Sequence, residues 1–329
     1  MKSFKSMVVT EHADKKYSRK IQERSIDSLP SGDILIKVKY SSLNYKDALS
    51  ASGNKGVTRN YPHTPGIDAA GLIVESNNSN FKIGEEVLVT GYDLGMNTSG
   101  GFSEYIRVPH EWVIKCPSTL SLKESMIYGT AGFTAALSIY KMISLGVKPE
   151  NGDILVTGST GGVGSIAIAI LNKLGYTVIA ATGKSDEKEM LLKTGAKDIV
   201  SRESVNDDSD RPILKERWAG VVDTVGGNIL STALKTTKYN GVVTCCGNVA
   251  SHTFTSSVYP FILKGIILCG IDSVQCPMDL RIKLWSLLAK EWKPSNLHEN
   301  TTEISLLELD EKIMNILKGN LKGRTIINI

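Results

Sequence analysis

Along the first third of the chain, apolar residues come in short runs interleaved with polar ones. Ile34-Leu35-Ile36-Lys37-Val38-Lys39-Tyr40 follows the turn-forming Pro30-Ser31-Gly32-Asp33, and Glu86-Val87-Leu88-Val89-Thr90 follows Ile83-Gly84. Runs of this kind, bounded by Gly and Pro, predict strands, so the first part is expected to be β-rich. From about Ser121 helix-length stretches alternate with apolar strands, the pattern of a parallel sheet flanked by helices. Strands are predicted at Ile154–Thr157, Tyr176–Ala181, Ala196–Val200, Gly220–Asp223, Gly241–Cys246 and Gly265–Ile271, with a helix over Ser165–Leu174 that stops at Gly175. Repeated βα units of this kind make a doubly wound sheet. Beyond Val274 the pattern predicts helices over Met278–Glu291 and Leu307–Leu317 and a last strand over Arg324–Ile329, able to close back on the first part. Glu203–Asp210, acidic and Ser-rich, reads as a surface loop.

Composition narrows the class. A chain of 329 residues that is 41% hydrophobic and 22% charged is long enough for two domains. Its 38 Lys and Arg and 34 Asp and Glu are scattered, giving a net charge of +4 without a long run of one sign, so nothing here calls for nucleic acid. Met1-Lys2-Ser3-Phe4-Lys5-Ser6-Met7 lacks the apolar core of a secretion signal, and no stretch reaches the roughly 18–20 apolar residues that span a bilayer. A cytoplasmic protein with no membrane partner is expected. Cys116, Cys245, Cys246, Cys269 and Cys276 form no CxxC pair and no zinc-ligand spacing, and read as reduced structural thiols.

The strongest chemical signal is Gly158-Ser159-Thr160-Gly161-Gly162-Val163-Gly164, between a predicted strand and a predicted helix. Glycines there let the backbone approach a pyrophosphate, while free N–H groups and the helix dipole face its charge. The end of the next strand selects the nucleotide: an acidic residue suits the ribose 2′-hydroxyl of NAD, cations suit the 2′-phosphate of NADP. This chain has Thr182-Gly183-Lys184-Ser185 there, and Asp186 comes only afterwards. Lys184 reads as a phosphate partner, with a solvated surface lysine as the plainer possibility.

Leu43-Asn44-Tyr45-Lys46-Asp47-Ala48, Pro65-Gly66-Ile67-Asp68-Ala69-Ala70-Gly71, Gly129-Thr130-Ala131-Gly132-Phe133-Thr134-Ala135 and the glycine-rich loop occur in an order that resembles the quinone-oxidoreductase branch of the medium-chain dehydrogenase/reductase superfamily, and within it the acrylyl-CoA reductase (YhdH or AcuI) type. The likeness extends through Asp223-Thr224-Val225-Gly226, Pro260-Phe261-Ile262-Leu263, Gly270-Ile271-Asp272-Ser273-Val274 and Gly323-Arg324-Thr325. It implies an α/β protein with a GroES-like β-rich catalytic domain over residues 1–124 and 275–329, a Rossmann NADPH-binding domain over 125–274, an active site in the cleft and a homodimer. The cofactor contacts it implies are Tyr45, Thr160, Gly161, Gly162, Val163, Thr182, Gly183, Lys184, Arg202, Asn248, Ile262, Ser273 and Arg324. Arg202 also fits on its own chemistry, since a guanidinium after the third strand can share the phosphate charge with Lys184.

Zinc-dependent members carry Cys and Gly-His-Glu where this chain has Asn44, Tyr45 and Asp47 and then Gly66-Ile67-Asp68, and no cysteine lies between Tyr92 and Val113. A zinc-free site is expected, suited to reducing a polarised double bond. The expected reaction is NADPH-dependent reduction of a short enoyl-CoA such as acrylyl-CoA. Quinone reduction and non-catalytic NADPH binding are the alternatives. Tyr45 is the candidate proton donor or oxyanion partner, and Asn44 a candidate amide donor. Asp47 and Asp68 read either as groups orienting water or the tyrosine, or as acceptors for loop N–H groups. Lys55 and Arg59, in the loop Lys55–Asn60, are possible partners of coenzyme A phosphates or ordinary solvated charges.

Overall fold

The computed structural model describes residues 3–329; Met1 and Lys2, the start of the stretch Met1–Met7 weighed above, lie outside them. In chain order the elements are β1 (Ser3–Glu11), β2 (Tyr17–Ser25), β3 (Ile34–Ser42), α1 (Tyr45–Ala51), β4 (Asp68–Ser76), β5 (Glu86–Thr90), β6 (Tyr105–Val108), β7 (Ile114–Lys115) and α2 (Leu122–Ser144). There follow β8 (Ile154–Val156), α3 (Gly162–Lys173), β9 (Val178–Thr182), α4 (Lys188–Thr194), β10 (Asp198–Ser201), β11 (Trp218–Asp223), α5 (Gly227–Thr236), β12 (Thr237–Cys245), α6 (Tyr259–Lys264) and β13 (Ile267–Gly270). The last elements are α7 (Met278–Ala289), β14 (Thr301–Ser305), α8 (Leu309–Leu317) and β15 (Arg324–Asn328).

These elements fall into two units. The first holds the described residues up to Thr130 with Val274–Ala289 and Thr301–Ile329; the second holds Ala131–Ser273 and Lys290–Asn300. The segment Lys290–Asn300, expected with the first unit, groups with the second, where Asn300 Nδ2 donates to Thr194 Oγ1 at 2.6 Å and Asn296 Nδ2 to the Lys193 carbonyl at 3.0 Å.

The first unit is built on a seven-stranded sheet in the order β14-β15-β3-β4-β5-β7, with β6 also pairing β3, beside a separate β1–β2 hairpin. Alternation along β3 buries Ile34, Ile36 and Val38 against Val87, Val89 and Ile106, as a strand with one face on a core requires. On another side α1 and α8 pack together through Ala48, Ala51, Leu309 and Ile313 over Ile327 of β15. Burying side chains such as Leu309 and Ile313 stabilises by roughly 1.5–3 kcal/mol each. The C-terminal strand does close onto the first part: Ile326 and Ile327 pair antiparallel with Ser42 and Ser41.

The second unit is a six-stranded parallel sheet in the order β10-β9-β8-β11-β12-β13. In chain order that is 3-2-1-4-5-6, the doubly wound arrangement in which ligands bind beyond the carboxyl ends of the strands where the order reverses. The central β8 and β11 are buried along their whole length, which accounts for their unbroken apolar runs. The predicted strands are all present; α3 starts at Gly162 instead of Ser165 because the loop glycines already belong to its first turn. No helix of the described residues is long and apolar enough to cross a membrane.

Candidate functional site

In the second unit the polypeptide leaves β8 into the glycine-rich loop and enters α3. Two bonds shape the loop: Ser159 Oγ donates to the Val156 carbonyl at 2.7 Å and Gly161 N to Gly158 O at 3.0 Å. Gly164 is needed for space, since a Cβ there would lie 2.5 Å from Gly158 O. The first-turn N–H groups of α3 have no partner within the helix and carry its positive dipole end. Beneath the loop, Thr157 Oγ1 donates to buried Asp223 Oδ1 at 2.7 Å, and Asp223 Oδ2 accepts from Gly226 N at 2.8 Å. Asp223 therefore ties the turn after β8 to the turn after β11. Burial pushes its carboxyl above the ordinary range, against the pull of these bonds.

A cleft opens at these strand ends, lined among others by Gly158, Thr160, Thr182, Gly183, Lys184 and Arg202. The ends of β9 and β10 are joined there, Arg202 N donating to Thr182 O at 3.1 Å, while Thr182 Oγ1 accepts from Lys184 N at 3.0 Å. Two cations thus sit at one end of the cleft. Of the other expected cofactor contacts, Gly161, Gly162 and Val163 are in the loop and first turn of α3. Asn248 is exposed after β12, Ile262 is exposed on α6, and Ser273 is buried, accepting from Thr134 Oγ1 at 2.8 Å. These last three are not part of the cleft lining.

In the first unit Tyr45 opens α1 with its side chain 43% exposed, while Asn44, Asp47 and Asp68 are buried beside it. Asp47 Oδ2 accepts from Asn44 N at 2.8 Å and from Asn44 Nδ2 at 3.3 Å, and Asp47 Oδ1 accepts from Ile67 N at 2.8 Å. Asp68 Oδ2 accepts from Ser42 Oγ at 2.6 Å, Asn44 Nδ2 at 2.7 Å and Thr130 N at 2.9 Å; Oδ1 accepts from Thr130 Oγ1 at 2.6 Å. Burial first, and the neighbouring Asp68 second, push the Asp47 carboxyl up to about 7.

Arg324 supplies the positive charge of this network. Its Nε donates to Ile127 O at 2.8 Å, Nη2 to Ser42 Oγ at 2.8 Å, and Nη1 to Asn44 Oδ1 at 3.3 Å. Buried at β15, this guanidinium spends its donors inside the first unit. The helix α2 breaks at Gly129, with φ 50° and ψ −155°, and the break lies against the same groups. Asp68 accepts the Thr130 N–H on one side of the break, and Arg324 caps the Ile127 carbonyl on the other.

Ser42, Gly129 and Thr130 were not singled out from sequence as functional, although Gly129-Thr130 lay in a quoted motif. A serine at a strand end and a glycine within a helical pattern carry no chemical signature by themselves. Lys55 forms a surface ion pair with Glu11 at 2.6 Å and lies 4.7 Å above the Tyr61 ring; the backbone N of Arg59 donates to Asn97 Oδ1 at 3.2 Å. Among the described residues, the one grouping of three or more His, Cys, Asp or Glu able to share an ion is Asp33, His110 and Glu111, remote in sequence from these segments.

The alcohol dehydrogenase GroES-like domain family matches residues 30–118 and the zinc-binding dehydrogenase family residues 162–290. The chain is 43% identical to YhfP of Bacillus subtilis, named as a quinone oxidoreductase, over 99% of both chains; its crystal structure with NAD bound superposes with a TM-score of 0.98 over all of both chains. The acrylyl-CoA reductase AcuI of Ruegeria pomeroyi is 37% identical over 99% of each chain. The yhdH oxidoreductase of Salmonella enterica, crystallised with NADP, is 38% identical over 99% of each chain with a TM-score of 0.96. The chain belongs to the medium-chain dehydrogenase/reductase superfamily of oxidoreductases, in the branch that holds the YhfP and YhdH/AcuI proteins.

Proposed function

We propose that the protein uses NADPH to reduce the 2,3 double bond of a short 2-enoyl-CoA, with acrylyl-CoA and propionyl-CoA as substrate and product. The observation that carries the cofactor choice is the cationic end of the cleft, where Lys184 and Arg202 flank Thr182 and no lining residue is acidic. The glycine loop suits the pyrophosphate, because it leads straight into the first turn of α3, whose N–H groups and dipole face negative charge. Full-length similarity to an acrylyl-CoA reductase supports the substrate. When bound, NADPH supplies a hydride to the β-carbon, the double-bond electrons move onto the thioester oxygen as an enolate, and a proton then adds at the α-carbon.

Tyr45 is the residue we assign to that proton or to the enolate oxygen, because its phenol is exposed while its neighbours are committed to one another. Asn44, Asp47, Asp68 and Arg324 act as positioning residues: their polar atoms are taken up in a network that fixes the start of α1. That donor set also supports a metal-free reaction. Its carboxylate oxygens already accept N–H and O–H groups, and it contains no Cys or His. A second reading, NADPH:quinone reduction, is favoured by the name of the YhfP relative. For assembly we propose a homodimer through the outer edge of β13 and α6, where Val258, Ile262 and Leu263 are 63%, 67% and 58% exposed. We further place the enzyme in the cytoplasm.

Steady-state kinetics with acrylyl-CoA and with a quinone, each with NADPH and NADH, tests the function. Enoyl-CoA turnover with NADPH is the expected result. Turnover of the quinone alone would replace the substrate, and equal use of NADH and NADPH would overturn the cofactor.

A further inference from the structure

Gly183, the residue after β9, is a glycine for a reason that its own backbone does not supply. Its φ lies outside the left-handed region, so alanine could take up the same conformation. What excludes a side chain is Arg202. A Cβ built on Gly183 would lie 2.7 Å from Arg202 Nη2, 2.8 Å from Cζ and 3.0 Å from Nε, and these are its three nearest atoms. The guanidinium therefore occupies the space a side chain at position 183 would fill.

The backbone fixes this juxtaposition. Thr182 and Ser201 are register partners at the ends of parallel β9 and β10, and Arg202 N donates to Thr182 O at 3.1 Å. The side chain of Arg202 is exposed on the cleft wall, and among the described residues its guanidinium has no hydrogen-bond or ion-pair partner. This long, flexible cation lies over Gly183 at the mouth of the cleft that Lys184 also lines.

We infer that Gly183 is a specificity-determining residue, acting as the seat that holds the Arg202 guanidinium where a 2′-phosphate binds. This inference rests on the NADPH preference proposed above. Gly183→Ala would not strain the backbone, and the atoms it displaces are the far end of a flexible side chain, so the protein folds while the guanidinium is moved off its seat. The glycine then acts through the arginine, not through the cofactor.

The test is a double-mutant cycle on cofactor binding, using the wild type, Gly183→Ala, Arg202→Ala and the double variant. Dissociation constants for NADPH and NADH are measured by titration without acyl substrate, and the readout is the ratio of NADH to NADPH constants. Gly183→Ala is expected to lower that ratio about tenfold in the wild type and less than twofold when Arg202 is already alanine. An equal fall in both backgrounds, or no fall in the wild type, overturns the seat while leaving the NADPH preference standing. A wild-type ratio near one removes the preference itself, and the inference with it.

Discussion

The carboxylate of Asp68 accepts both the N–H and the hydroxyl of Thr130, at 2.9 and 2.6 Å, at the point where α2 is interrupted. A side chain on β4 thereby serves as the cap of a half-helix that the break at Gly129 has left with an open N–H.

The interruption cannot tolerate a side chain. A Cβ at Gly129 would sit 2.5 Å from both Asp68 Oδ2 and Ser42 Oγ, on a backbone with φ 50° and ψ −155° that is almost confined to glycine. Gly129→Ala is expected to destabilise by about 3 kcal/mol in urea denaturation. Gly84→Ala, with positive φ but open space around it, should cost about 1 kcal/mol. Equal costs would mean that the network does not press on Gly129.

Asp47 predicts a pH dependence of stability. Its carboxyl titrates near 7 when folded but near 3.8 when unfolded, so between these values the folded chain holds the extra proton. The contribution is complete below pH 3.8, declines as pH rises, and is gone above about pH 7. At about 1.4 kcal/mol per unit, up to about 4 kcal/mol is at stake. Urea melts from pH 4.5 to 8 should therefore show a decline that Asp47→Asn flattens; parallel profiles for both proteins would show that this carboxyl is not the source.

Removing one of the two cations in the cleft should separate the cofactors. A charge-assisted hydrogen bond is worth roughly 1.5–3 kcal/mol, so Lys184→Ala is expected to raise the NADPH dissociation constant about tenfold or more and to leave NADH almost unchanged. Fluorescence titration of both nucleotides decides it, and a matching loss for NADH would place Lys184 on a part that the two share.

Tyr45→Phe deletes only a hydroxyl from an exposed ring. If that phenol protonates or holds the enolate, single-turnover reduction of acrylyl-CoA at saturating NADPH should slow by roughly 10² to 10⁴ with NADPH affinity retained. An unchanged rate would leave water as the donor.

Charges on the apolar surface formed by α6 and Val258 just before it should break the proposed dimer. Val258→Glu with Leu263→Glu alters two exposed positions, so the fold is expected to stand while sedimentation at micromolar concentration shifts from dimer to monomer. Unaltered sedimentation of a dimer would move the interface elsewhere.

Periodicity made the second unit legible because its central strands β8, β9 and β11 are buried along their whole length and stand out as apolar runs. The hairpin was harder to see. In β2, Tyr17–Ser25, no residue is fully buried, and β14 buries only Ile304, so neither alternates strongly. The glycine loop and Lys184 were visible because phosphate chemistry needs recognisable residues in sequence. The Asp68 network was not, since its partners at 42, 44, 130 and 324 meet only through sheet pairing and a helix break.

Synthesis order gives the C-terminal strands a further consequence. While the ribosome is still adding residues beyond 300, β3 is unpaired on the side that Ile326 and Ile327 later fill opposite Ser42 and Ser41, and the network around Asp47 and Asp68 lacks the Arg324 guanidinium. The parallel sheet between Ala131 and Ser273 has by then emerged with all six strands and can fold as the chain grows. The part carrying Tyr45 is completed last. A nascent chain halted before Arg324 would therefore carry the strand-end cleft of the second unit while the start of α1 still lacked the network that fixes it.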